Sequence, residues 1–404
     1  MYTDTAPQAD RHALSAEHAE TIRATLPAVG AHITEIAQLF YRTMFSRHPE
    51  LLADTFNRGN QRSGEQQKAL AASVATFAAM LVDESAPSPV DLLTRIGHKH
   101  VSLGITRDQY QVVHDNLFHA IAEVLGEAVT PPVAEAWDRV YWIMADVLTG
   151  FEQGLYDSAG VDAGDVFVPA RLTERRRLTG SVMRYSFAAE GFAATRPGQY
   201  TSLGVRLPDG ARQLRQYSLV EWDEAGFSVA VQRDGEVSSH LQDHVREGDT
   251  IDATLPAGHL VLHQFTSPIV TVSQGIGSTP MAGMLMALIR RLDTEQGAGS
   301  RPEHPITVLH ADASEDDYAF RDLAEEVTSR LHAPLVTAFR DRGERLDLGA
   351  LAGAGTLPVG AQWYLCGGNA FLQDVRDQLE AHKTTLFPVE VHFELFSPND
   401  WLLR

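Results

Sequence analysis

In the first third of the chain, apolar side chains return every three or four residues. Ile33, Ile36, Phe40, Met44 and Phe45 keep this spacing. So do Trp137, Val140, Tyr141, Met144, Val147, Leu148 and Phe151. Such a repeat gathers apolar groups on one stripe of an α-helix, which predicts helices from residue 1 to about 158. Proline is expected only at breaks, at Pro49, at Pro87 and Pro89, and at Pro131-Pro132. The stretch Asp157 to Asp165 is rich in Gly, Ala and Asp, has no period, and reads as a linker.

The texture then changes. From Phe167 to about Leu262 short runs alternate apolar and polar residues, as in Ser181–Phe187 and Phe227–Val231. Pro208-Asp209-Gly210 and Asp234-Gly235 mark turns between them. This is a small β-barrel pattern. From Pro268 onward apolar strands alternate with helices. Ile269–Val272 leads through glycines to a helix from about Met281 to Leu292. Ile306–Leu309 is a second strand, and Trp363–Cys366 a third, followed by a helix from about Ala370 to His382. Alternation of this kind builds a parallel sheet. The expected fold is therefore multidomain: all-α over 1–158, an antiparallel β-barrel over 159–264, and an α/β domain with a parallel sheet over 265–404.

Composition narrows the function classes. The 404 residues carry 33 basic and 53 acidic side chains, a formal net charge of −20. Such a surface repels phosphate backbones, so no nucleic-acid partner is expected. One cysteine, Cys366, rules out a disulfide framework or a cysteine-built zinc site within a single chain. The start of the sequence lacks the basic and apolar regions of a signal peptide. No run of about 18 apolar residues could span a bilayer. The expectation is a cytoplasmic monomer with no stable membrane insertion.

Two motifs carry the chemistry of the second half. In Arg215-Gln216-Tyr217-Ser218, a strand would point Arg215 and Tyr217 to one face. The guanidinium can fork onto a pyrophosphate, and the phenol can lie on a flavin ring edged by Ser218. Gly235-Glu236-Val237-Ser238 would bring backbone N–H groups toward the same pyrophosphate. Alone, Arg-x-Tyr-Ser fits an ordinary exposed strand equally well. Downstream, Gly275-Ile276-Gly277-Ser278-Thr279-Pro280 follows a strand and precedes a helix that Pro280 can start. Missing Cβ atoms admit a dinucleotide, and the helix N-terminus favours its phosphates. It is not the GxGxxG fingerprint.

In this order and spacing the motifs resemble the ferredoxin-reductase family of flavoproteins over residues 165–404. Arg196-Pro197-Gly198-Gln199-Tyr200 matches the strand before its flavin motif. Tyr364-Leu365-Cys366-Gly367 matches its late nicotinamide-side turn, and Glu394-Leu395-Phe396 the position of its flavin-facing aromatic. The resemblance implies FAD and NAD(P)H as cofactors. Two departures bear on fine positioning. Cys366-Gly367-Gly368 stands where the family often has Cys-Gly-Pro, and Gln232-Arg233-Asp234 where it often has Lys-Arg-Glu.

The chain has 17 histidines, so a single one proves nothing. His100 closes a helical stretch, Val90 to His100. Together with Leu39–Phe45, Thr55–Gln61, Glu65–Leu70, Tyr110 and Phe151–Tyr156, this segment resembles the globin of a bacterial flavohaemoglobin. That resemblance implies haem b bound through His100 as proximal iron ligand, with Tyr110 and Glu152 behind it. It implies Tyr41 and Gln66 on the distal side, Leu70 walling the pocket and Phe56 packed on the haem plane. Lys99 and Glu394 match positions that meet near the haem–flavin junction. The implied activity is a nitric oxide dioxygenase, an NAD(P)H- and FAD-dependent oxidoreductase acting on the small molecules O2 and NO. Two alternatives stay open: reduction of peroxide or alkyl hydroperoxide at the same haem, and a haem gas sensor with an attached reductase. NADH or NADPH preference stays open as well, with Arg340 and Arg342 as candidates to meet a 2′-phosphate.

Overall fold

Helix α1, Ala16–Arg47, opens where the Ser15 hydroxyl accepts the His18 N–H at 3.1 Å, a cap for one of the donors every helix start leaves unpaired. Its apolar stripe, Ile22, Val29, Ile36, Phe40 and Met44, is fully buried. The computed structural model describes Ala6 and residues 13–63, 65–83, 85, 90–262, 265–296 and 302–396; Pro87 and Pro89 lie outside them. Six further helices follow: α2 Pro49–Asp54, α3 Arg58–Ser63, α4 Glu65–Val82, α5 Val90–Val101, α6 Arg107–Leu125 and α7 Pro131–Ala159. The apolar faces of α1, α2 and α4 to α7 share one core, which includes Phe77, Met80, Leu93, Trp137, Tyr141 and Phe151.

Two expectations need correction. Proline is not confined to breaks, because Pro27 sits inside α1. An interior proline costs about 3 kcal/mol, and the packing of Ile22 and Val29 on either side overrides it. The linker also begins later than its composition implies. Helix α7 runs past Asp157 to Ala159 and is closed by Gly160.

The β region comprises β1 Phe167–Arg177, β2 Val182–Ala188, β3 Tyr200–Arg206, β4 Arg212–Trp222, β5 Gly226–Gln232 and β6 Thr250–Thr254, with α8 Glu236–His244 between the last two strands. They close a six-stranded barrel in the order β1-β2-β5-β4-β3-β6. Closure leaves no edge strand to template association. Helix α8 is absent from the sequence expectation.

The last region alternates β7 Ile269–Gln274, α9 Ser278–Gln296, β8 Ile306–Asp312, α10 Arg321–Leu331, β9 Leu335–Phe339, α11 Leu348–Gly353, β10 Gln362–Cys366, α12 Asn369–Ala381, α13 Lys383–Leu386 and β11 Glu390–Glu394. Its sheet is parallel, in the order β11-β10-β7-β8-β9. The central strands β7 and β10 are buried almost throughout, as expected when helices cover both faces.

The chain packs as two compact units. Among the described residues, one holds those up to 167 with 204–215; the other holds 168–203 and those from 216 to 396. In the first unit the turn between β3 and β4 packs on the helices. The Gln213 amide donates to the Leu52 and Ala53 carbonyls at 3.2 Å each, and Arg58 pairs with Asp209 at 2.5 Å.

Candidate functional site

Within the helical unit three side chains predicted to act together do meet. His100, near the end of α5, points Nδ1 at Glu152 Oε1 of α7, 2.7 Å away. The Tyr110 hydroxyl of α6 donates to the same oxygen at 2.6 Å and lies 3.0 Å from His100 Nδ1. Glu152 is buried. A buried carboxylate is tolerated only with such partners. Burial first, and then the Glu152 charge, push the Tyr110 pKa far above its ordinary value, so its proton stays in place. With Nδ1–H committed to Glu152, Nε2 is the nitrogen left to face a metal. The surroundings lock this arrangement: the Tyr141 hydroxyl donates to the Tyr110 carbonyl at 2.6 Å, and that of Tyr156 to the Ile105 carbonyl at 2.7 Å.

One contributor was missed in the sequence. A Cβ at Gly97, one turn before His100, would stand 2.5 Å from the Phe151 ring. Glycine there lets α5 and α7 approach closely enough for Glu152 to reach His100. The available signal was a glycine inside a helical pattern, which costs about 1 kcal/mol relative to alanine and so marks a packing demand.

Tyr41 is buried on α1, with the rings of Phe40, Phe45 and Phe56 at 4.6, 5.6 and 5.9 Å. Leu70 on α4 is half-buried. It lines a small apolar cavity together with Ile33, Ile36, Ala37, Val74 and Trp137. Gln66 lies in α4 one turn before Leu70, and its side chain is outside the described residues. Tyr41, Phe56, Leu70 and Tyr110 belong to one apolar cluster. The donor set, one histidine whose Nδ1 is committed to a carboxylate and whose neighbour Tyr110 belongs to this apolar cluster, fits a haem.

In the barrel, Arg215, Gln216, Tyr217 and Ser218 lie consecutively on β4. The first three are half-buried and Ser218 is buried. Arg215 donates to the Leu214 carbonyl at 2.7 Å, and Gln216 to Ser202 Oγ at 3.1 Å. Tyr200 begins β3, half-buried. Gly235, Val237 and Ser238 form the start of α8. The Ser238 hydroxyl accepts the N–H groups of Asp234 and Gly235 at 3.0 and 2.9 Å. The Gly235 N–H is therefore already held within the turn that opens α8. A Cβ at Gly235 would meet nothing within 4 Å. That open backbone at a helix start is of the kind that can admit a pyrophosphate.

In the parallel sheet two distant motifs converge. A Cβ on Gly277 would overlap the Cys366 carbonyl and crowd the Gly367 nitrogen. Only glycine lets the turn after β7 touch the turn after β10. Helix α9 begins at Ser278, not near Met281. Ser278 Oγ donates to the Gly275 carbonyl at 2.9 Å and Thr279 Oγ1 to that of Ile276 at 2.8 Å. Pro280 is the third helical residue, where a missing N–H costs nothing. Cys366 is wholly buried. Burial, and then the Glu394 charge, raise its pKa, so the thiol stays protonated. Glu394 pairs in register with Cys366 at the end of β11, and Phe396, just beyond, is half exposed. Lys99 and Glu394 fall in different compact units.

The globin family model matches residues 38–148. A flavohemoprotein of Deinococcus radiodurans is 35% identical over 96% of this chain and 98% of its own length. The chain belongs to the flavohaemoprotein family. A second flavohemoprotein, from Bacillus subtilis, is 32% identical over 94% of this chain and 96% of its own. The crystal structure of flavohemoglobin from Malassezia yamatoensis, with bound FAD and heme, superposes with a TM-score of 0.84 and 29% identity. It covers 95% of this chain and 100% of its own. The helical part, the barrel and the parallel sheet are thus the flavohaemoprotein architecture, a haem globin joined to a reductase.

Proposed function

We propose that the chain is a nitric oxide dioxygenase that joins NO and O2 to nitrate with electrons from NAD(P)H. The observation that carries this reading is the Glu152 carboxylate on His100 Nδ1, in a chain that also has the flavin and nucleotide motifs. The chain holds haem b and FAD and takes NAD(P)H. When bound, the flavin accepts a hydride and releases single electrons, and the haem iron receives them.

His100 would hold the iron through Nε2. Glu152 keeps the Nδ1 proton directed at itself, which fixes the tautomer and makes the imidazole a stronger donor. Tyr110 donates to the same oxygen and holds the carboxylate in place. On the distal side Tyr41 would offer a hydroxyl in a ring-lined space beside Phe56, with Leu70 nearby; Gln66 is assigned to the same side by the family pattern alone. Arg215 would fork onto the FAD pyrophosphate beside the start of α8, at Gly235, Val237 and Ser238. Tyr200, Gln216, Tyr217, Ser218 and Phe396 would frame the flavin. Gly275, Gly277, Ser278, Thr279 and Pro280 would admit the dinucleotide against Cys366 and Gly367. Lys99, beside His100, and Glu394, near Phe396, match positions of the family that bear on the haem and on the flavin respectively. Each NAD(P)H yields two electrons, and each turnover consumes one with one NO and one O2 to form one nitrate.

The test is NO consumption at an electrode in air, with the haem- and FAD-loaded protein and NADH or NADPH in turn. Rapid consumption with stoichiometric nitrate is expected. Fast nucleotide oxidation without NO loss would overturn the dioxygenase reading. The same electron-donating histidine would also serve O–O cleavage, so turnover of an alkyl hydroperoxide that outcompetes NO would favour the peroxidase reading.

A further inference from the structure

The parallel sheet carries a second recognition feature, at the carboxyl ends of β8 and β9. The chain passes from β7 outward to β8 and β9, then returns to β10 on the other side of β7. Ligands of open α/β sheets lie outside the carboxyl ends of the strands, at such a reversal of strand order. A dinucleotide held by its pyrophosphate at the start of α9 would reach across the ends of β8 and β9. There an acidic side chain favours a ribose 2′-hydroxyl, and a free arginine favours a 2′-phosphate.

His310 and Asp312 are internal. His310 Nδ1 lies 2.8 Å from Ser273 Oγ, its ring stacks on Tyr318 at 3.5 Å, and Nε2 lies 3.1 Å from Asp312 Oδ2. The other Asp312 oxygen accepts the Ala313 N–H at 2.7 Å. The turn Glu315–Asp317 follows, and after β9 comes the turn Arg340–Arg342. The Asp341 N–H donates to the Ala313 carbonyl at 3.0 Å and fastens one turn to the other. Across this junction Glu315 engages two arginines. Oε2 accepts from Arg342, and Oε1 lies 2.9 Å from Arg321 Nη1. Asp316 and Asp317 are exposed beside it, as are Asp341 and Glu344 beside Arg340 and Arg345. Glu344 accepts the Phe339 N–H at 2.9 Å.

We propose that Glu315 selects NADH over NADPH: it occupies Arg342 and Arg321, and with Asp316 and Asp317 it makes the 2′ end of the nucleotide site acidic. The proposal rests on the reading of this sheet as the nucleotide-binding one. Half-exposed ion pairs of this kind add little to stability. Their effect here is on the field met by an incoming dianion, and Arg342, a candidate from its position alone, is answered by a carboxylate.

The test compares Glu315→Gln, Arg342→Ala and the double variant with the wild-type holoenzyme. Two quantities are read: kcat/KM for NADH and NADPH with ferricyanide as acceptor, and Kd for NAD+ and NADP+ by calorimetry on the oxidised protein. Bound FAD per chain checks folding. The wild type should prefer NADH by at least about tenfold, with the preference in KM and Kd. Glu315→Gln should raise the NADPH-to-NADH ratio by about tenfold, and Arg342→Ala in the same chain should cancel that gain. Equal use of the two nucleotides by the wild type, or an unchanged ratio in Glu315→Gln, overturns the proposal and leaves the reductase reading standing. A holoenzyme that neither oxidises nor binds either nucleotide overturns both.

Discussion

The proximal side of the helical unit and the glycine turns of the parallel sheet reach specificity by opposite means. Around His100 the site is made of side chains: one buried carboxylate oxygen within 2.6 to 2.7 Å of two donors from two other helices. Around Gly277 the site is made by removing side chains, so that one turn touches another. Yet both depend on a close approach that glycine permits, at Gly97 in the first case and Gly277 in the second. The lesson is that a site reading as chemistry in the sequence can rest on a residue that reads as nothing.

That comparison can be broken most severely at the metal ligand. His100→Ala should abolish the Soret band and NO consumption while leaving ferricyanide reduction by the nucleotide; a retained Soret band would remove His100 from its role. Gly277→Val should do the reverse. It should cut ferricyanide reduction about 100-fold, the order expected for a displacement near 1 Å, and leave the Soret band intact. Wild-type reduction would show that the turn tolerates a side chain. Glu152→Gln keeps the shape and removes the charge. NO turnover should fall about tenfold or more, with a lower iron–histidine stretching frequency; an unchanged frequency would sink the donor argument. Tyr41→Phe should speed O2 release from the reduced protein about tenfold, the worth of one buried hydrogen bond. An unchanged rate would clear Tyr41 of the distal role.

The smallest effect concerns pH. Burial lowers the pKa of His310, against the opposing pull of Asp312. The unfolded chain therefore binds this proton more readily than the folded one, and stability should decline as pH falls from about 6.5 toward the folded value. His310→Gln should flatten the drop in melting temperature between pH 7.5 and 5.5. An identical drop in both proteins would exclude His310 as a source.

Much of the fold was legible because it is written in periods. The three- and four-residue spacing gave the helical region, and the apolar runs at Ile269 and Trp363 gave strands buried on both faces. The Arg215 and Gly275 motifs were legible only together, in their order and spacing, since each alone fits an ordinary strand or turn. His100, Tyr110 and Glu152 were legible only by resemblance. They stand 10 and 52 residues apart from the histidine in sequence, and no local pattern links them. What escaped was set by packing. Pro27 is carried within a helix by its buried neighbours, α7 overruns its linker, and Glu315 meets Arg342 across 27 residues.

The Gln213 amide bonded to Leu52 and Ala53 bears on how such a chain could be taken apart. Those carbonyls close a short helix in the N-terminal part, yet their donor is encoded about 160 residues later. A gene cut at the linker would yield a fragment that carries the histidine and its carboxylate but lacks the segment completing its own surface. Modularity in the gene and modularity in the folded molecule therefore have different borders, and a recombinant globin half would be better made with residues 204–215 supplied than without them.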